Sequence, residues 1–174
     1  MISILDTITA VKREEVALSR KAVPPEVLRS SPLFLRKCHS LKDNILLHGS
    51  SGIIAEFKQK SPSKGVINAS AEVTVVASGY AEAGVSGISV LTDFPFFGGT
   101  IGNLSKARIA CPDIPLLRKD FMIDEYQLLE AKASGADVIL LIAACLSKLQ
   151  AQELAGKARE LGLEVLFEIH GEVE

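Results

Sequence analysis

Only 5% of the 174 residues are aromatic, and the lysines and arginines are scattered without forming a basic face. Bases need stacking platforms and phosphate backbones need clustered cations, so nucleic acid is not an expected partner; the net charge of −2 agrees. Cysteine is equally sparse. Cys38, Cys111 and Cys145 are odd in number, far apart and unaccompanied by Cys-x-x-Cys or paired histidine spacing. That argues against a disulfide framework and a zinc site, and for a reducing compartment. Long apolar runs are lacking too: Asp6, Lys12, Arg13, Glu14 and Glu15 interrupt the amino terminus where a signal-peptide core would lie, and no later run is long enough to span a bilayer. The expected setting is the cytoplasm, with no membrane partner and no metal.

What is present is a large apolar fraction, 48%, enough for the core of one ordinary domain. Ile4, Leu5, Ile8, Val11, Val16 and Leu18 recur at roughly helical spacing until Pro24-Pro25, which predicts a first helix. Short apolar pieces broken by Ser30, Pro32 and Asn44 predict more helix and loop up to His48. The expected organisation is an amino-terminal helical extension at 1–48 and a main body at 49–174. In that body, strands at 52–58, 87–91, 116–119, 137–142 and 164–168 alternate with helices at about 72–83, 104–110, 125–134 and 148–161. Such alternation means parallel βα units. Gly84, Gly135 and Gly162 each follow a helical stretch, where a left-handed turn is easiest for glycine.

An open doubly wound sheet and a closed (β/α)₈ barrel both fit this pattern. The first would normally carry Gly-x-Gly-x-x-Gly in its first turn, and Ser61 to Gly65 do not supply it. A barrel expects chemistry from several strand ends instead, and Glu56 and Lys58, Lys119 and Asp120, and Glu168 and His170 each follow an apolar run. The favoured class is therefore α/β, a (β/α)₈ TIM barrel with about five of eight units in this chain, since a whole barrel takes about 250 residues.

Five ordered blocks carry a resemblance: Ile54-Ala-Glu-Phe-Lys-Gln-Lys-Ser-Pro-Ser-Lys-Gly65; Ile88-Ser-Val-Leu-Thr-Asp93 followed by Phe96-Phe97-Gly98-Gly99; Leu117-Arg-Lys-Asp-Phe121; Gly135-Ala-Asp-Val-Ile-Leu-Leu-Ile142; and Leu163-Glu-Val-Leu-Phe-Glu-Ile-His170. Over essentially its whole length the chain resembles the indole-3-glycerol phosphate synthases of tryptophan biosynthesis. The resemblance implies a carboxy-lyase that converts 1-(2-carboxyphenylamino)-1-deoxyribulose 5-phosphate into indole-3-glycerol phosphate, carbon dioxide and water, without metal or organic cofactor. It also implies Lys119 as general acid, Glu168 as the carboxylate serving the dehydration, Lys58 as an anion-binding and pKa-lowering neighbour, and Glu56 as the group that holds the lysines. Ser61, Pro62, Phe97, Phe121 and Leu140 match positions that shape the pocket for the anthranilate ring, and the amino-terminal extension matches one that helps cover the site.

Simpler readings stand beside these. Glu56 and Lys58 could be a structural ion pair, Asp120 a helix cap, and Phe96-Phe97 packing under a loop. His39 and His48 read as surface residues, His170 as incidental, and Lys60 and Lys64 as solvated loop charges. A related phosphate-binding barrel, phosphoribosylanthranilate isomerase, would place a cysteine and an aspartate at strand ends, and the three cysteines are not read as so placed. The remaining alternative is a non-catalytic barrel fragment. The family's later strands carry an Asn, a Glu-Ser pair and glycine-rich phosphate turns, so these 174 residues alone are expected to show little synthase activity, and open sheet edges are expected to drive self-association.

Overall fold

Ser3 and Asp6 exchange hydrogen bonds as a capping box at the start of α1 (Ile4–Ala22), in a computed structural model that describes residues 3–171. The first two residues of the expected extension and the last three of the expected body lie outside the described residues. Pro24 and Pro25 separate two helices: α1 stops at Ala22, and Pro25 opens α2 (Pro25–Arg29), where its missing N–H is no loss. A 3₁₀ turn (Pro32–Phe34) and α3 (Leu41–Leu46) complete the leading segment.

The body runs β1 (Ile54–Phe57), β2 (Lys60–Ser61), β3 (Gly65–Val66), α4 (Val73–Glu82), β4 (Gly87–Leu91), α5 (Phe94–Phe97) and α6 (Ile101–Ala110). It continues with β5 (Leu116–Lys119), α7 (Glu125–Ala133), β6 (Val138–Ile142), α8 (Lys148–Glu160) and β7 (Glu164–Glu168). Strands β1, β4, β5, β6 and β7 form one parallel sheet in chain order, which is the topology of successive barrel units. Gly84, Gly135 and Gly162 sit at the expected turns with φ of 77°, 94° and 72°. Two elements have no counterpart in the sequence reading: the two-stranded antiparallel hairpin β2–β3, which folds the Ser-Pro-Ser-Lys-Gly loop back on itself, and the one-turn helix α5.

Strand parity divides the core. Ala55, Phe57, Ile88, Val90, Leu116, Ile139, Leu141 and Val165 turn outward and pack with Ala77, Leu104, Leu128 and Leu154 of the helices. Their alternate neighbours Ile54, Leu117, Val138, Leu140 and Ile142 turn inward, where they meet Ile8 of α1 and Leu41 of α3. A buried aliphatic side chain contributes about 1.5–3 kcal/mol, so both faces bind the sheet strongly, and the leading segment is part of the core. Glu164 of β7 fastens α3, accepting from Ser40 Oγ (2.5 Å) and from the backbone N–H of Leu41 (3.0 Å) and Lys42 (3.2 Å). Asp137, fully buried, explains the Gly-Ala-Asp block. It accepts from the backbone N–H of His39 and Leu116 (2.8 Å each) and pairs with the guanidiniums of Arg36 (2.6 Å) and Arg108.

Candidate active site

Glu56, Lys58 and Lys119 share the inward face at the carboxyl ends of β1 and β5, because even-numbered positions on β1 point away from buried Phe57. Lys58 Nζ donates to Glu56 Oε1 at 2.7 Å, and Lys119 Nζ donates to Glu56 Oε2 at 2.9 Å. One carboxylate thus holds two ammonium groups. Burial pushes the Glu56 pKa up, but Lys58 and Lys119 outweigh it and hold it below the ordinary glutamate value. The side chains stay about a quarter to a third exposed, so the group is open to a ligand.

That opening is a cavity of about 540 Å³ lined by Lys58, Ser61, Pro62, Phe97, Lys119, Phe121, Leu140 and Glu168. Eight of the nine residues singled out in the sequence reach it, and Glu56 stands behind its two lysines. Phe97 and Phe121 form one wall, with ring centroids 6.1 Å apart and planes tilted by 39°. Phe97 is delivered by α5, whose amino end is capped by Asp93 accepting from the N–H of Phe96 (2.9 Å) and Phe97 (3.2 Å). Its carboxyl end needs both glycines: Gly98 has φ of 68°, and a Cβ on Gly99 would lie 2.1 Å from the Leu91 carbonyl oxygen. Ser61 is buried in the hairpin and accepts from the Lys64 N–H at 3.2 Å.

The roof comes from α1, whose Ile4, Leu5 and Ile8 line the cavity. Below them Lys12 inserts between Asp93 (2.9 Å) and Asp120 (3.0 Å) and reaches Glu15 (2.5 Å). Asp120 is therefore not a helix cap as the sequence suggested; Asp124 caps α7. Asp120 pairs with Arg118 (3.0 Å), accepts from Thr92 Oγ1 (2.6 Å), and is almost completely buried. Burial favours its neutral form, yet Arg118 and Lys12 outweigh it and keep its pKa below the ordinary aspartate value. With Lys119 inward, Arg118 turns outward into a buried helix interface, where it requires carboxylates, supplied by Asp120 and Glu130 (2.8 Å).

Other residues depart from the sequence reading. His170 lines the cavity, and its Nε2 lies 2.9 Å from Glu168 Oε1. His39 is half-buried against the Pro112 carbonyl (3.0 Å), whereas His48 is exposed. Lys60 ties the hairpin to the Pro95 carbonyl (3.0 Å), and Lys64 borders the cavity. Cys145 does follow a strand end, in the 3₁₀ turn Ala143–Cys145 after β6, but it packs into the inner apolar cluster and lines another part of the surface. Ser89, in register beside Glu56, is a residue the sequence reading does not single out; its inward Oγ is buried and has no hydrogen-bond partner among the described residues. The signal was a lone hydroxyl in an apolar strand.

Residues 5–174 match the model of the indole-3-glycerol phosphate synthase family. The chain is similar to proteins named indole-3-glycerol phosphate synthase from Bacteroides thetaiotaomicron (48% identity over all of the chain and 66% of that protein), Burkholderia lata (46% over 98% and 66%) and Laribacter hongkongensis (44% over 100% and 67%). It spans about two thirds of the length of these curated relatives. With a family match that takes in every strand of the sheet and both sides of the cavity, the chain belongs to the indole-3-glycerol phosphate synthase family.

Proposed function

We propose that this chain carries the ring-closing and dehydrating side of an indole-3-glycerol phosphate synthase, acting on 1-(2-carboxyphenylamino)-1-deoxyribulose 5-phosphate. The observation that carries the proposal is a single carboxylate, Glu56, bridging two lysine ammonium groups at the mouth of an aromatic-walled cavity. The anthranilate ring fits between Phe97, Phe121 and Leu140, where an apolar wall strengthens neighbouring charge interactions. Lys58 pairs with the substrate carboxylate. Lys119 protonates the carbonyl oxygen as the ring carbon attacks; carbon dioxide then leaves, and the new hydroxyl departs as water with Glu168 serving that second stage. Glu56 aims both ammonium groups. The setting is cytoplasmic.

The test follows product by its indole fluorescence. The 174-residue polypeptide alone is expected to turn over little or no substrate, because its five strands leave the barrel's phosphate-gripping turns unsupplied. Mixed with a polypeptide holding the last three βα units of the Bacteroides relative, it should gain activity that Lys119→Met and Glu168→Gln abolish. Recovered activity indifferent to both substitutions overturns the assignment.

A further inference from the structure

Lys12 is the only charged side chain of α1 that is buried, at 4% exposure, and the catalytic scheme above does not use it. Its two inner partners have a common feature. Asp93 Oδ1 accepts from the N–H of Phe97, and Asp120 Oδ1 accepts from the N–H of Phe121 at 2.9 Å. One ammonium group therefore bridges two carboxylates, each of which holds the backbone of one wall phenylalanine. Asp93 Oδ2 has no geometrically sound hydrogen bond among the described residues, so the ammonium group 2.9 Å away is what compensates it. Thr92 and Arg118 hold only the other oxygen of Asp120.

The same lysine fixes the roof. Ile8 precedes it by one helical turn, and Ile4 and Leu5 precede it by two, so all three share its face of α1. All three line the cavity. Fixing Lys12 between β4 and β5 therefore sets the height of the roof and the spacing of the walls together. A buried cation shared by two carboxylates has no nearby alternative arrangement, since moving it leaves Asp93 uncompensated and Asp120 with Arg118 alone. We propose that Lys12 is a positioning residue of this site: it latches α1 over the cavity and couples that roof to the Phe97 and Phe121 walls. The inference rests on the reading of the cavity as the substrate site, but the coupling itself is a property of the free chain.

Amide hydrogen exchange on the 174-residue chain and on Lys12→Met tests the coupling without substrate. Methionine keeps the stem and removes the charge. The amides of Phe97, Phe121 and the turn from Ile8 to Lys12 are expected to exchange at least about tenfold faster, while those of Ile88 and Ile139 in the strand core keep their rates. Unchanged rates at Phe97 and Phe121 overturn the proposal. So does an equal acceleration everywhere, which would make Lys12 merely a stabilising residue. Should Lys12→Met fail to fold, Lys12→Gln retains a donor for one carboxylate, and a smaller rise at the same amides is expected under the same exclusions. A second arm titrates N-methylanthranilate by its own fluorescence. Weaker binding to the variant than to the wild type supports the proposal, and equal binding to both overturns the link to the pocket. If the wild type binds none while the exchange pattern appears, the substrate-site reading falls and the latch stands.

Discussion

Glu56 is the residue on which the charges at the site depend, and its geometry sets what a substitution should do. Each oxygen holds a different lysine, so Glu56→Gln leaves one ammonium group facing a neutral oxygen and the other facing an amide donor. In the reconstituted synthase this is expected to lower kcat by about 10²–10⁴-fold, the usual worth of a positioned proton donor, with a smaller change in KM. Steady-state kinetics over substrate concentration checks the split; a rise in KM alone would leave Glu56 a binding residue. Because the lysines hold its pKa below the ordinary value, Glu56 stays ionised above the normal glutamate range of about 4.3. Its contribution to stability is present above that pH and is lost only as pH falls through the lower folded value.

Among the elements, α1 supplies the roof of the cavity and α5 part of one wall, and the Lys12–Asp93 ion pair ties the two together. Gly99→Ala tests α5 directly. Its Cβ would collide with the Leu91 carbonyl, which cannot swing away as a side-chain tip could, and the expected cost is about 1–3 kcal/mol with displacement of Phe97. Urea midpoints and anthranilate-analogue binding measure the two effects. The ion cluster under α1 has a pH window. Asp120 is depressed, so its stabilisation is present above about pH 4 and lost below it. Lys12 is raised by Asp120, Glu15 and Asp93 against the opposing effect of burial, so its share is present below about pH 10 and lost only above. Urea midpoints should therefore be flat between about pH 5 and 9 and fall in acid. Strands β4, β5 and β7 each hold a short apolar stretch bounded by glycine or charged residues, which is why their limits were legible. The hairpin β2–β3 and α5 were not, because strands of two residues and a helix of four are too short to show a period. The Lys12 cluster was hidden for another reason: both aspartates lie far along the chain from Lys12, and only the folded sheet brings them to it.

Across the whole molecule, among the described residues, the order of the parallel strands leaves β1 paired only with β4 and β7 only with β6, so both outer edges of the sheet present unpaired backbone groups there. The β7 edge is also apolar: Leu166, Phe167 and Ile169 are 40%, 43% and 57% exposed, and Ile53 before β1 is 56% exposed. Parallel barrel strands are normally covered on both faces, so these residues present a surface that another strand would bury. The 174-residue polypeptide is accordingly expected to associate with itself through its edges. Sedimentation velocity should show a concentration-dependent shift from monomer to larger species, and the three-unit partner polypeptide should suppress that shift as it restores activity. Phe167→Lys, which places a charge on the edge without touching the cavity, should weaken self-association while leaving α1 and the Phe97–Phe121 wall intact. A wild-type chain that stays monomeric at all concentrations would mean that inward curvature of the sheet already protects its edges, and the association proposal would fall.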